Sequence, residues 1–179
     1  MTDTKTKSVK MTFKALYSYV LNTNYRNIMG ILGLLLSAGS IVILALGWSQ
    51  LGIMQKAIFI IVALAFTILN PVSLALKTSK QLKTSPSYKQ PLDYTFGSDG
   101  ITISQGELSQ EVKWSDITRI MLTKSMIAIY TGPMSAFVIP TSELGKDKGR
   151  ILSTAVQFTA EYRPRLSRNL KLYQTGKGI

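Results

Sequence analysis

Between Arg26 and Lys56 the chain carries no charged residue, and the densest apolar part of that run, Ile28 to Trp48, is mostly Ile, Leu, Gly and Ala. A second uncharged run extends from Ala57 to Leu76 and is closed by Lys77. A helix rises about 1.5 Å per residue, so about 20 residues cross a hydrocarbon core about 30 Å thick. Core helices of soluble proteins rarely go uncharged over that length, and a cleaved leader would be shorter and closer to Met1. Two spans, 28–48 and 57–76, are therefore expected within a transmembrane hairpin, 27–77. Its connection "GWSQLGIMQK" puts Trp48 where an indole prefers to sit, at the interface.

Charge sets the expected orientation. Lys5, Lys7, Lys10, Lys14 and Arg26 precede the first span, Lys77, Lys80, Lys83 and Lys89 follow the second, and only Lys56 lies between them. Positive flanks stay in the cytoplasm, which predicts a multi-pass protein of the cell membrane with both termini inside. Residues 1–90 hold ten Lys and Arg against one acid, 91–162 six against eight, and 163–179 five against none. A positive charge gathered at the ends and around the apolar runs suits an anionic lipid surface better than nucleic acid, for which no aromatic stacking pattern occurs either. Lys77, Lys80 and Lys83 of a basic linker (78–91) and Arg163, Arg165, Arg168 and Lys171 around a basic tail (164–179) are the candidate lipid-surface residues. Each is worth about 1 kcal/mol beside anionic headgroups.

Gly30, Gly33 and Ser37 let a second backbone come close. The first reading is packing of the two spans against each other, and the alternative is a homodimer. Asn70 and Pro71 are structural candidates: Pro71 removes a helical hydrogen bond and should kink the second span, with Asn70 capping a freed group. Upstream, Phe13, Leu16, Tyr17 and Val20 share a helical side with Lys10 and Lys14 beside them. Residues 1–26 are therefore expected to be a basic amphipathic segment lying in the interface, or else packing on the cytoplasmic domain.

Beyond "SPSYKQP" the period changes to alternation. Leu92, Tyr94 and Phe96, the turn "GSDG", and Ile101 with Ile103 form a hairpin signal. Further short strands are expected at 108–112, 117–124, 126–130 and 136–139, and an amphipathic helix over roughly 146–162. The fold class is thus an α+β membrane protein: a two-helix hairpin followed by a small antiparallel β domain (92–163) with a C-terminal helix, laid out like a pleckstrin-homology domain.

The chain has no Cys and no His. Thiol chemistry is excluded, and the usual neutral-pH base and commonest metal ligand are missing. No phosphate-binding glycine loop, metal-ligand cluster or nucleophile elbow occurs, so no cofactor and no enzyme activity are expected. Trp114 reads as a core anchor whose N–H reaches an acceptor, and Asp116 as a turn cap or a partner of Arg119 or Lys124.

Two spans followed by "LNPVSLALKTSKQ", "SPSYKQPLDYTFGSDGITIS", "VKWSDITRIMLTKSMIAIY" and "FVIP", with Trp-Ser-Asp-Ile at 114–117 after the Asp99-Gly100 turn, resemble the YcxB-like family of small bacterial membrane proteins. The matching pieces run from about Leu69 to Pro140, and the basic tail departs from the pattern. The resemblance implies an inner-membrane protein with a cytoplasmic domain, and it brings no catalytic residues. The expected function is a non-enzymatic, membrane-anchored interaction module that binds a partner protein or anionic lipid. The alternative is an immunity protein that shields its producer's membrane from a toxin or bacteriocin.

Overall fold

The computed structural model describes residues 4–162 apart from Met134 and Lys146. The chain divides into two compact units: Tyr19–Gln81 forms one, and the residues up to Ser18 join those from Leu82 onward to form the other. In chain order, one unit is inserted into the other.

The inserted unit receives helix α1 (Phe13–Arg26) at Tyr19, then holds α2 (Ile28–Gly47), α3 (Ile53–Leu64), a π-helical turn (Ala65–Leu69) and most of α4 (Asn70–Thr84). Two continuous helices, Ile28–Gly47 and Ile53–Thr84, are long and apolar enough to cross a membrane. Their side chains point mostly outward: Leu46 is 83% and Ile53 88% exposed. Small residues line the inner face. A Cβ on Gly33 would overlap the Phe66 ring, so the ring packs where only hydrogen leaves room. Ser37 Oγ donates to the Ala63 carbonyl at 3.0 Å and lies 2.6 Å from Thr67 Oγ1. At the α2–α3 turn, Gly52 N–H donates to Gln55 Oε1 at 2.9 Å, and the Lys56 ammonium stands 4.7 Å from the Trp48 ring centroid.

Pro71 accounts for the π-helical turn. Proline has no N–H, and its ring crowds the carbonyl four residues back, which a widened turn relieves. The Asn70 N–H bonds five residues back, to Ala65. The Phe66 carbonyl therefore loses both donors that could serve it, from Asn70 and from Pro71. Tyr25 Oη, at the end of α1, donates to it at 3.0 Å. Asn70 does not cap a freed carbonyl as the sequence suggested: its Nδ2 donates to Asn24 Oδ1 at 3.1 Å.

The other unit is built on two antiparallel sheets. Strand β1 (Thr4–Val9) pairs with β2 (Leu92–Phe96), which continues to β3 (Gly100–Gln105) and β4 (Leu108–Lys113). A 3-10 turn, Trp114–Asp116, leads to β5 (Arg119–Leu122), β6 (Met126–Tyr130) and β7 (Ala136–Pro140), the second sheet. A short α5 (Thr141–Leu144) and the longer α6 (Asp147–Tyr162) close the described chain. The alternation read from the sequence becomes one core: Tyr94, Phe96, Ile101 and Ile103 from the first sheet meet Ile127, Ile129 and Ile139 from the second and Ile151, Leu152 and Ala155 of α6. Gly100 faces β4 so closely that a Cβ would strike the Val112 carbonyl, so the β2–β3 hairpin requires glycine there.

Two segments differ from expectation. Residues 4–26 are not one amphipathic helix: they form β1 and α1, and Val9, Ala15 and Leu16 are buried in protein. The cause is backbone bonding, because β1 supplies the hydrogen bonds that the free edge of β2 would otherwise lack. The expected basic linker, 78–91, has regular structure over part of its length. Helix α4 continues to Thr84, a 3-10 turn spans Pro86–Tyr88, and Gln105 Nε2 donates to the carbonyls of Ser87 at 2.9 Å and Gln90 at 3.1 Å.

Candidate functional site

The residues singled out from the sequence are not gathered into one place. Lys77, Lys80 and Lys83 are all exposed on α4, whose buried residues are Leu74 and Thr78. Arg163, Arg165, Arg168 and Lys171 lie outside the described residues. Trp114 is 1% exposed and its Nε1–H donates to the Gly97 carbonyl at 3.0 Å, tying the 3-10 turn to the β2–β3 hairpin. Asp116 is exposed and accepts from Ser115 Oγ at 3.1 Å. Its proposed partner Arg119 instead lies over the Tyr130 ring, 4.0 Å from the centroid.

The structure assembles a feature that the sequence did not reveal. Thr12 and Lys14 at the start of α1, Lys124 and Ser125 in the β5–β6 turn, and Thr141 and Ser142 at the start of α5 line one cleft of about 310 Å³. Its frame is held by hydrogen bonds. Thr12 Oγ1 caps α1 by accepting from the Ala15 N–H at 3.3 Å. Thr141 donates twice, from its N–H to the Ser125 carbonyl at 3.1 Å and from Oγ1 to the Lys124 carbonyl at 2.7 Å. Among the described residues no carboxylate lines this cleft, and the ammonium groups of Lys14 and Lys124 and the hydroxyl of Ser142 have no hydrogen-bond or ion-pair partner. No local signal marks it, because its residues are ordinary turn residues from three distant segments.

Two other clefts have different chemistry. One, of about 440 Å³, carries Asp99 and Glu111 with Lys113 and borders Trp114, so acids outnumber bases among its described lining residues. The second, of about 280 Å³, contains Arg119 and Tyr130, which already contact each other. Apart from these clefts, Tyr94 is buried, and among the described residues its hydroxyl has no hydrogen-bond partner. Burial, and secondarily the Tyr88 phenol, push its pKa well above the ordinary value of 10.0. Burial also raises that of Tyr88.

The class defined by these features is an α+β protein in which two membrane-capable helices accompany two antiparallel sheets and a C-terminal helix. Within that class, residues 96–152 match the family model of the YcxB-like protein. The match starts at the last residue of β2 and reaches into α6, beginning later than the resemblance read from the sequence and extending past Pro140. The family resemblance is thereby supported over the β-rich part. No curated protein and no solved structure matches the chain.

Proposed function

We propose that the chain is a non-enzymatic, membrane-anchored interaction module. In this reading its β unit has a pleckstrin-homology-like layout, faces the cytoplasm, and binds anionic lipid or a partner protein. The observation that carries the topology is the pairing of β1 with β2, from Thr4↔Phe96 to Val9↔Leu92. The hairpin lies between these strands in the chain, and paired strands stand only about 4.8 Å apart. That closeness supports a reading in which both flanks of the hairpin lie on one side of the bilayer and the chain crosses it an even number of times. The exposed Ile and Leu side chains of the two helices supply the reason to cross, since water would not tolerate so much contiguous apolar surface. The Lys and Arg bias selects the cytoplasm as the shared side.

The pleckstrin-homology-like reading draws on the strand count. Sheets of four and three strands followed by a helix give that layout only when β1 is included. The absence of His and Cys from the whole sequence supports a binding rather than a catalytic role.

Cysteine accessibility tests the topology without interference, because the chain has no native thiol. Ser49→Cys in the α2–α3 turn should react with an impermeant maleimide on intact cells, and Ser98→Cys in the β2–β3 hairpin only after permeabilisation. The reverse pattern overturns the orientation, and equal labelling of both sites overturns the crossing. For the interaction itself, full-length protein in mild detergent should carry a stoichiometric partner or enriched anionic lipid. Recovery of neither sinks that part of the reading.

A further inference from the structure

We infer that the cleft formed by the start of α1, the β5–β6 turn and the start of α5 binds a phosphomonoester group. This rests on the interaction-module reading above and names the site and ligand chemistry for it.

Charge is the first argument. Lys14 and Lys124 both line the cleft, no carboxylate among the described lining residues balances them, and neither ammonium has a partner among the described residues. Lys14 also occupies the first turn of α1, which contains no acid and where the helix dipole disfavours a cation by about 0.3–1 kcal/mol. Both lysines are exposed at the rim of one cleft, so a bound anion could pair with each of them without displacing a protein partner.

The donor set narrows the anion. Each ammonium offers up to three N–H donors, and the Ser142 hydroxyl has no partner among the described residues. A phosphomonoester carries a charge of about −1.5 to −2 and three strong acceptor oxygens, which matches two ammoniums and a hydroxyl. A carboxylate offers half that charge and one oxygen fewer. The volume of about 310 Å³ is at the small end of ligand sites and admits a headgroup or free phosphate but not a large cofactor.

The scaffold is the last argument. The hydrogen bonds of Thr12 and Thr141 fix the backbone that carries the lysines and leave both ammoniums and the Ser142 hydroxyl available. The other two clefts lack this combination, since one holds two carboxylates and the other's arginine covers a tyrosine ring.

A phosphomonoester can come from a lipid such as phosphatidic acid or from solution, and the test separates the two. Full-length protein is reconstituted into phosphatidylcholine nanodiscs, alone or doped with phosphatidic acid or phosphatidylserine, and the undoped discs are titrated with inorganic phosphate. The reporter is Ser142→Cys, whose introduced thiol is the only one in the chain and whose alkylation should slow when the cleft fills. Protection by phosphatidic acid but not by inorganic phosphate assigns a lipid source, and protection by both assigns a site open to either. Lys14→Gln with Lys124→Gln should weaken protection at least tenfold, whereas Lys89→Gln with Lys113→Gln, exposed lysines outside this cleft, should leave it unchanged. Because Ser142→Cys removes one proposed donor, tryptophan fluorescence of the chain with native Ser142 provides a second binding readout, and thermal unfolding verifies that each variant folds.

Equal protection by phosphatidylserine and phosphatidic acid, or no protection in either readout, overturns the cleft assignment, as does full protection in the folded Lys14/Lys124 double variant. None of those results touches the membrane reading. That reading fails separately if the chain does not incorporate into nanodiscs.

Discussion

In the unit Tyr19–Gln81, the side-chain bonds that fix the fold join residues 26 to 46 positions apart along one hairpin: Ser37 to Ala63, Tyr25 to Phe66 and Asn24 to Asn70. In the β unit, the first strand finds its partner only across that entire hairpin, at Val9↔Leu92. One unit can close as soon as its two helices exist. The other must keep β1 waiting while the intervening segment is placed, and it gains nothing from that pairing until the long loop closes. The comparison teaches that the hairpin is an insertion between two strands that are neighbours in the sheet.

Each unit contains one of the chain's two tryptophans, Trp48 at the hairpin turn and Trp114 in the β core, so fluorescence can follow the units separately. The largest effect should come from Trp114→Ala. It empties a buried indole site and breaks the hydrogen bond to Gly97, at a cost of about 3–5 kcal/mol. Denaturation monitored by far-UV circular dichroism should show the sheet signal lost early while Trp48 fluorescence remains native. If Trp48 responds at the same denaturant concentration, the units are not independent.

Gly33→Val should act on the other side of the comparison. Its side chain meets the Phe66 ring, and overpacking of this kind costs about 1–3 kcal/mol. Phe66→Leu in the same chain should recover part of the loss, and Trp114 fluorescence should not move. Tyr25→Phe is a milder change. It withdraws the donor from the Phe66 carbonyl that the Asn70–Pro71 step leaves bare, and should cost the hairpin about 1 kcal/mol, measured by detergent denaturation. An unchanged midpoint would mean that the carbonyl finds another donor.

What the sequence makes legible follows the same division. Uncharged runs of membrane length and turns such as Gly97-Ser98-Asp99-Gly100 are local signals, and the helices, β2–β3 and the C-terminal helix emerged close to their expected places. Strand β1 was missed because "TKTKSV" holds a single large apolar residue, and what makes it a strand is the open edge of β2. Its alternating Thr and Lys are a faint sign of an edge strand, where lysine discourages unwanted pairing. The cleft containing Lys14 and Lys124 was missed for a related reason: its lining comes from three segments far apart in the chain. The π-helical turn was half legible, because Pro71 forecasts disruption but not that Tyr25 would supply the missing donor.

The smallest effect probes the β core by itself through pH. The Tyr94 hydroxyl is buried and has no partner among the described residues, so removing it should not weaken the fold. Tyr94→Phe should raise the stability of the β unit by about 0.5–1 kcal/mol at neutral pH, because it removes a buried polar atom that has no partner among the described residues. Alkaline pH should enlarge the difference. A phenol whose pKa is raised by burial remains protonated in the fold at a pH where the same phenol in the unfolded chain ionises. The fold keeps its full stability below the ordinary phenol value of 10.0 and loses it as pH rises above, because unfolding then releases a proton. The slope approaches about 1.4 kcal/mol per pH unit for one such group, and Tyr88, raised in the same direction, adds to it. Tyr94→Phe should flatten this decline in the β unit and leave the hairpin's pH response as it was. A β unit whose stability falls equally steeply above pH 10.0 with and without the Tyr94 hydroxyl would mean that this phenol is not held protonated by the core.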